Sequence, residues 1–317
     1  MLYKLLCVIF AIVMVNCLST VLSSDSNATL NHHKISKKHI AICLVGQLMR
    51  TEIESKIKNI IQYNNDLDDT HVQVIGVLDT GVNYSNGVFQ NTLSSCYINA
   101  VELQAYFRNE FSKYGIKVHN MIKEPIKITI SNATRSVLYK YRADTSTQMT
   151  RIANHIRQFY HDSSCYDMMR RIEINNNMIF DAVIRIRDNA LVAAPIDIIK
   201  SLELYNHQKV ILKGCNSYGG YSDKVWIIPR LYMEPALSHV ANDMMEGQDY
   251  LNGTYNSEEA LYRVWNHYGV QTVQVSAQEL PIIDARCIKM GNGTTAPVLE
   301  RYDFSFIFDS GILYVHF

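Results

Sequence analysis

The sequence lacks most of the short signatures by which enzymes are recognised. It contains no G-x-S-x-G nucleophile elbow and no H-E-x-x-H zinc motif, so it does not indicate a common esterase or metalloprotease. No G-x-G-x-x-G follows the first predicted strand, so the sequence lacks the main motif that would indicate a dinucleotide-binding site. Gly214 and Gly219 have the spacing of a phosphate-binding loop. Gly220 and Tyr221, however, stand where such a loop needs its lysine and hydroxyl, which argues against an ATP-hydrolysing site.

The chain also lacks a charge imbalance and an obvious zinc site. With 30 basic and 30 acidic residues its net charge is 0, so we expect no nucleic-acid partner and no attraction to anionic membranes. No internal repeat or low-complexity segment is present. The pairs His155/His161 and His33/His39 have zinc-compatible spacing, but no C-x-x-C accompanies either of them.

Cysteine is sparse, at 7 residues, and two of these, Cys7 and Cys17, lie in the N-terminal apolar segment. Cys43 falls in an apolar strand and is expected to be a buried free thiol. The remaining four are expected to form two disulfides in an oxidising lumen, with the pairing left open. They are Cys96, Cys165, Cys215 and Cys287.

The first residues are predicted to be a targeting segment. Lys4 precedes an apolar run from Leu5 to Leu22, which fits either a signal peptide cleaved after Ser23 or a retained signal-anchor. Both alternatives send the chain into the secretory pathway, to the ER or Golgi lumen or outside the cell. Sequons at Asn27, Asn83, Asn132, Asn252 and Asn292 agree with luminal exposure. We therefore expect a segment 1–23, a polar stem 24–38 and a single domain 39–317.

Apolar strands alternate with amphipathic helices along the rest of the chain. The first strand, Ile40 to Val45, is followed by a helix with Ile53, Ile57, Ile60 and Ile61 on one face. Further strands are predicted at 72–78, 126–130, 180–187, 210–212 and 225–228, and further helices at 99–114, 145–174, 195–204 and 256–268. This order predicts an α/β fold with a mostly parallel central sheet and helices on both faces.

The most informative strand is FDAVIRIRDN, from Phe180 to Asn189. Its residues alternate between faces, so Arg185 and Arg187 share one face. In open α/β sheets, ligands bind at the carboxyl ends of the strands, where guanidinium groups suit a phosphate or carboxylate. Asp188 and Asn189 offer oxygen ligands for a hard cation. The alternative is that both arginines pair with structural carboxylates elsewhere in the chain.

Three further turns at the ends of elements are candidates for the same site. Gly46, Gln47 and Arg50 follow the first strand, where a glycine allows a close approach to the backbone. An ordinary strand-to-helix turn explains them equally well.

The other two turns carry carboxylates. Gly219, Gly220 and Asp223 belong to a loop in which the aspartate can bind sugar hydroxyls or merely steady a tight turn. Glu258 and Glu259 follow Asn256 and are candidate general bases, although Asn256 and Glu259 also have the spacing of a capping box. The literal D-x-D string at Asp66 and Asp68 is interpreted as a solvated turn.

With these pieces in place, the chain resembles GT-A class glycosyltransferases. It is most similar to lipopolysaccharide- and capsule-type glycosyltransferase-like proteins. The similarity rests on four segments in order, which are GQLMRTEIESKIKNII (46–61), FDAVIRIRDNALVAAPI (180–196), GGYSDKVWIIPR (219–230) and NSEEALYRVWNHYGV (256–270).

The resemblance implies particular roles for some of these residues. Asp188-Asn189 takes the place of the family's D-x-D metal motif without its second aspartate, and the cofactor implied is a divalent metal, Mn or Mg. Ser257-Glu258-Glu259 takes the place of an x-E-D motif that supplies a base, and His316 is a candidate C-terminal metal ligand.

The leading interpretation is a glycosyltransferase that moves a sugar from a nucleotide-sugar donor to a glycan, lipid or protein acceptor. The alternative is a non-catalytic member of the same fold that binds a glycan or protein. Membrane contact is expected only through the N-terminal segment, if it is retained as an anchor. The sequence identifies neither the donor nor the acceptor. It also does not show whether the reaction inverts or retains the anomeric configuration.

Overall fold

The computed structural model describes residues 37–48, 51, 53–79, 105, 108–109, 111–114, 116–123, 125–143, 146–214, 217–289 and 295–299, with only the backbone for 120–123, 284–289 and 295–299. Its strands are β1 Lys38–Gln47, β2 Thr70–Asp79, β3 Lys117–Lys123, β4 Ala182–Arg187, β5 Ala190–Val192, β6 Val210–Lys213, β7 Val225–Pro229, β8 Thr272–Val275, β9 Ile282–Lys289 and β10 Thr295–Leu299.

The helices begin with a continuous helix, α1, that is α-helical over Glu54–Lys56, π-helical over Ile57–Gln62 and α-helical over Tyr63–Asn65. The others are α2 Asn132–Val137, α3 Gln148–Asn176, α4 Ile198–Glu203, α5 Met233–Leu237, α6 His239–Glu246 and α7 Ser257–His267. Short 3₁₀ turns cover Arg230–Tyr232 and Asp249–Leu251. No helix in these described ranges is long and apolar enough to cross a bilayer.

Seven strands form the central sheet in the order β3-β2-β1-β4-β7-β6-β8, and β10-β9-β5 form a smaller sheet. In the central sheet β7 is antiparallel to both of its neighbours, while the other pairs are parallel. The register sets Gln47 opposite Asp79 and Val45 opposite Arg187. The carboxyl ends of β1, β2 and β4 therefore meet at one edge of the sheet.

The two faces of the sheet carry separate cores. Val183 belongs to the core beneath α3, α6 and α7, whereas Ile184 and Ile186 belong to the core beneath α1 and α4. This is the alternation predicted from the sequence of β4. The α/β class, with a mostly parallel central sheet and helices on both faces, is confirmed. The segment boundaries at 23 and 38 stay predictions, because residues before 37 lie outside the described part.

The expectation that Cys43 is a free thiol is wrong. Cys43 on β1 forms a disulfide with Cys165 on α3, 122 residues away, and both side chains are fully buried. The sequence gives no sign that this turn of α3 crosses β1. Of the other predicted disulfide partners, Cys96 and Cys215 lie outside the described residues.

The strand predicted at 126–130 is also wrong. Its side chains alternate between half-buried and exposed, but the backbone has no regular structure. The Nε–H of Arg157 donates a 2.7 Å hydrogen bond to the Ile126 carbonyl. A side chain on α3 therefore satisfies a backbone group that a neighbouring strand would otherwise bind.

Candidate active site

Arg185 lies in the centre of the sheet and is fully buried. Its Nε and Nη2 donate to the two carboxylate oxygens of Asp162 on α3, at 2.7 and 3.1 Å. Nη1 donates to the Asp223 carbonyl, and the guanidinium lies 4.1 Å from the centre of the Trp226 ring. This is the structural pairing that the sequence left as the alternative. The role of Arg185 in donor binding stays a prediction, and its side chain has no exposed surface.

Arg187 points to the same face but lies nearer the edge, with 15% of its side chain exposed. Its Nη1 donates a 2.9 Å hydrogen bond to Oδ2 of Asp223, which also accepts an N–H from Gln158 at 2.8 Å. Burial alone would raise the pKa of Asp223, but the charges of Arg187 and Lys224 and the Gln158 hydrogen bond outweigh it. The pKa of Asp223 therefore falls well below its usual range. Asp223 is held as an anion.

The loop that carries Asp223 is docked on the start of α7. Gly219 has a φ of +87°, as predicted for a glycine turn. A Cβ on Gly220 would lie 2.0 Å from the Glu258 carbonyl oxygen, so only glycine fits there. The Tyr221 N–H donates to that same carbonyl at 3.0 Å. The backbone that comes close to Gly220 is therefore that of α7 in the same chain.

The start of α7 is a capped helix end. Asn256 accepts the Glu259 N–H at 2.8 Å, and Glu259 accepts the Tyr255 N–H at 2.8 Å. Glu259 also forms an ion pair with Arg263. The capping function given as the alternative for Glu259 is present, and its catalytic role stays a prediction.

Glu258 is the other carboxylate of this turn and is 8% exposed. Its Oε2 accepts a 2.8 Å hydrogen bond from the Ser257 hydroxyl. Burial and then the anionic charge of Asp223 raise the pKa of Glu258, against the Ser257 hydrogen bond. The two predicted carboxylates therefore interact, although 35 positions separate them in the sequence.

Tyr141 is fully buried, and His155 on α3 is half-buried beside it. The Tyr141 hydroxyl contacts Nδ1 of His155. Burial, followed by the charge of Glu258, raises the pKa of Tyr141. Burial lowers the pKa of His155 to about 4, so its imidazole is neutral at pH 7.

Asp188 directly follows β4, next to Arg187 in the sequence, and its side chain is fully buried. Oδ2 accepts the Gln47 N–H at 2.7 Å, and Oδ1 accepts the Asn189 N–H at 2.8 Å. A Cβ on Gly46, whose φ is +130°, would lie 2.5 Å from the Asp188 carboxyl carbon. Gly46 and Gln47 were predicted to follow the first strand, but both lie within β1, and there Gly46 makes room for this carboxylate.

The described residues around Asp188 fit a divalent metal poorly. Both carboxylate oxygens already accept backbone N–H groups, and the cationic Nζ of Lys56 donates to the Asp188 carbonyl at 3.0 Å. Within the described ranges, no three His, Cys, Asp or Glu side chains are grouped as metal ligands. Arg50 and His316 fall outside those ranges, and the roles predicted for both stay predictions.

Several residues of this network were not identified from the sequence as site residues, and His155 and His161 were considered only as a pair with zinc-compatible spacing. Asp162, His155 and Gln158 occupy one stripe of α3, and Tyr141 lies in the preceding turn. A second buried pair, Asp79 at the end of β2 and His161 on α3, approaches to 3.4 Å. Polar residues at helical spacing along one side of α3, as at 155, 158 and 162, are the signal that could have revealed them.

No protein-family profile and no curated protein sequence matches the chain. Among solved structures it is similar to apo mouse xyloside xylosyltransferase 1, with 7% identity and a TM-score of 0.38 over 76% of this chain and 86% of that one. It is also similar to the glycosyltransferase GlyE of Streptococcus pneumoniae, with 10% identity and a TM-score of 0.36 over 77% of this chain. That match covers 46% of GlyE, so the chain spans less than half of its length. Both TM-scores are below 0.5, so these two similarities carry no argument about the function of the chain.

Proposed function

We propose that the chain is a GT-A-like glycosyltransferase that moves a sugar from a nucleotide-sugar donor to an acceptor hydroxyl. The observation that carries the proposal is the pair Asp223 and Glu258 at the carboxyl edge of the sheet. Their environments push the two pKa values apart, Asp223 downward and Glu258 upward. Such a divergence is typical of paired carboxylates that divide acid–base roles.

In this proposal Glu258 is the general base. A carboxyl group with a raised pKa is better matched to taking a proton from a sugar hydroxyl near neutral pH. Glu258 keeps some contact with solvent, where the acceptor would lie. Asp223 remains ionised and holds Arg187 in place.

The departing diphosphate needs positive charge, and Arg187 is the best candidate to supply it. Cationic side chains stabilise a phosphate leaving group by charge and hydrogen bonding. Arg187 is partly exposed and Lys224 follows Asp223, whereas Arg185 is fully buried. No step of this scheme is routed through a metal, because the Asp188 oxygens are engaged within the chain.

The test measures, on the full chain, first the binding of a donor and then the transfer of its sugar. A UDP- or GDP-sugar is expected to raise the melting temperature, since a ligand that binds only the native state stabilises it. Glu258→Gln is expected to keep this stabilisation and to lower kcat at least about 100-fold. Glu259→Gln is the matched control, expected to lower the melting temperature but not turnover. No stabilisation by any nucleotide sugar, with or without manganese, would contradict the proposal.

A second candidate is the non-catalytic binding protein of the same fold. The full burial of Arg185 and the engaged carboxylate of Asp188 favour it, because two predicted donor contacts are used within the chain. It predicts glycan binding without turnover of any donor. Measurable sugar transfer that Glu258→Gln abolishes would exclude it.

We also propose that the chain acts in the lumen of the secretory pathway or outside the cell. The buried disulfide between Cys43 and Cys165 supports this location, since such bonds persist in oxidising compartments. Mass spectrometry of non-reduced peptides from the protein made in the secretory pathway should find this linkage. Finding both thiols free there would count against the location.

A further inference from the structure

Two of the predicted sequons lie in the described part of the chain, and the asparagine of each is on the surface. Asn132 is the first residue of α2, and Asn252 follows the 3₁₀ turn Asp249–Leu251. Both side chains are exposed, and neither side-chain amide hydrogen-bonds to another described residue. A glycan on either amide nitrogen therefore displaces no hydrogen bond of the fold.

The threonine of each sequon is in the opposite situation. Thr134 and Thr254 are buried, with exposed fractions of 1% and 0%. The Thr134 hydroxyl donates to the Met245 carbonyl at 2.6 Å, and the Thr254 hydroxyl donates to the Leu251 carbonyl at 2.6 Å. The enzyme that attaches N-linked glycans recognises the asparagine together with the hydroxyl two positions on. In the folded chain this hydroxyl is out of its reach at both sequons.

We propose that Asn132 and Asn252 carry N-linked glycans, and that both glycans are attached before the chain folds at these sites. The exposed asparagines can hold a glycan in the final fold, but the buried threonines allow its attachment only earlier. The inference rests on the proposed location in the secretory pathway. It does not depend on sugar transfer by the chain itself.

The attachment uses a lipid-linked oligosaccharide as its donor. The amide nitrogen of the asparagine forms a bond to C1 of the first sugar, and the bond from that carbon to the lipid diphosphate breaks. The diphosphate leaves with the bonding electrons, and the nitrogen loses one proton to solvent. The product is a bulky, polar group on the protein surface.

The position of Asn132 in the chain gives it a long time in which to be modified. The Thr134 hydroxyl binds to Met245, which is synthesised 111 residues later. At a synthesis rate of 5–20 residues per second, that interval is roughly 6 to 22 seconds. The sequon at Asn132 therefore stays accessible until most of the domain has been made.

Asn252 has less time, because its contacts in the fold come from residues that precede it. The Gly253 N–H donates at 3.2 Å to the carbonyl of Val137, the last residue of α2. The Thr254 hydroxyl binds within its own turn, to Leu251. Neither contact depends on a segment that is synthesised later. We therefore expect the fraction of chains that carry a glycan to be lower at Asn252 than at Asn132.

The disulfide between Cys43 and Cys165 offers a way to lengthen the time available at Asn252. Both cysteines and Val137 belong to the same core. A reductant that prevents the disulfide is expected to delay the packing of this core, and of α2 with it. Occupancy should then rise at Asn252, whereas Asn132 already has a long interval and should change little.

The experiment uses the full chain, made in the secretory pathway of a cultured eukaryotic cell. An N-glycosidase in H₂¹⁸O converts each glycosylated asparagine into labelled aspartate, which mass spectrometry counts. We expect label at Asn132 and Asn252, with more at Asn132, and none at Asn206, which is exposed but has no sequon. No label at either sequon, in protein whose disulfide has formed, would overturn the proposal without affecting the location. Free cysteines together with no label would contradict both.

Two comparisons test whether attachment precedes folding. Dithiothreitol added during synthesis should raise the occupancy of Asn252. The variant Cys43→Ala/Cys165→Ala should show the raised occupancy without reductant and should not respond to it further. Unchanged occupancy in both comparisons would contradict attachment before folding.

The folded chain can also be offered directly to the purified glycan-attaching enzyme with a lipid-linked oligosaccharide. Protein made in the bacterial periplasm is oxidised and carries no such glycan, so it provides the folded substrate. It should not be modified at Asn132 or Asn252, whereas the same protein after reduction and unfolding should be. Modification of the folded chain at either asparagine would overturn the role given to the buried threonines.

Discussion

Arg187 and Asp223 form an ion pair of 2.9 Å that joins β4 to the loop before β7. The Asp223 side chain is only 4% exposed, and its carboxylate is ionised because Arg187, Lys224 and Gln158 stabilise the charge. A buried carboxylate without these partners would face the full cost of losing its hydration. The pair therefore determines whether the loop can stay docked on α7.

Replacing Arg187 with methionine should destabilise the fold, because it leaves the buried Asp223 carboxylate without its main partner. We expect a loss of about 3 kcal/mol in urea unfolding at pH 7. The double variant Arg187→Met/Asp223→Asn removes the charge as well and should recover much of this loss. A change below about 0.5 kcal/mol in the single variant would show that the pair does not hold the loop.

Most of the fold could be predicted because it depends on patterns local to each element. The continuous apolar run of β1, the alternation of β4 and the isoleucine stripe of α1 each define one element and its buried face. The 126–130 segment failed because alternation identifies a half-buried extended chain, but not whether a strand lies alongside it.

The site was harder to predict because its contacts join distant parts of the chain. Asp223 and Glu258 were identified, since each lies in a turn with a clear signature. Asp162, the partner of Arg185, and Gln158, which donates to Asp223, were not identified, because both are carried by α3 and nothing in the sequence fixes the rotation of that helix over the sheet. Asp188 was identified, but its backbone partners depend on the alignment of β1 with β4.

Gly220 and Gly219 offer a matched pair of substitutions in one loop. Gly220→Ala would place a Cβ against the Glu258 carbonyl, and we expect the displaced loop to cost about 3 kcal/mol. Gly219→Ala meets no atom within 4 Å and should cost only the strain of its positive φ, about 1–2 kcal/mol. Chemical denaturation of both variants measures the difference. Equal losses would mean that the loop is not packed on α7 as described.

Asp188→Asn tests whether this carboxylate serves the fold or a metal. Both of its oxygens accept backbone N–H groups, and an amide NH₂ cannot accept either of them. We expect a loss of about 1–3 kcal/mol in EDTA, with no ligand present. Asp181→Asn, at the opposite end of β4 and more exposed, is the control and should cost less. Unchanged stability in EDTA together with a lost response to manganese would identify Asp188 as a metal ligand.

His155 makes the stability of the fold depend on pH in a defined direction. Its pKa is about 4 in the folded chain, against an ordinary value of 6.5, because burial disfavours the imidazolium. Between these two values the unfolded chain binds a proton at this position and the folded chain does not. Linkage then requires the free energy of unfolding to rise with pH across this window.

The expected contribution of His155 is a loss of about 3 kcal/mol as pH falls from 6.5 to 4, since a tenfold difference in proton affinity corresponds to about 1.4 kcal/mol. Other groups titrate in the same window, so the comparison is with His155→Gln, which keeps an acceptor for Tyr141 but cannot ionise. Urea unfolding at pH 4.5, 5.5 and 6.5 should show a steeper decline for the parent chain than for the variant. Parallel declines would mean that His155 becomes protonated within the folded protein near its ordinary pKa, which would contradict the lowered pKa of its imidazole.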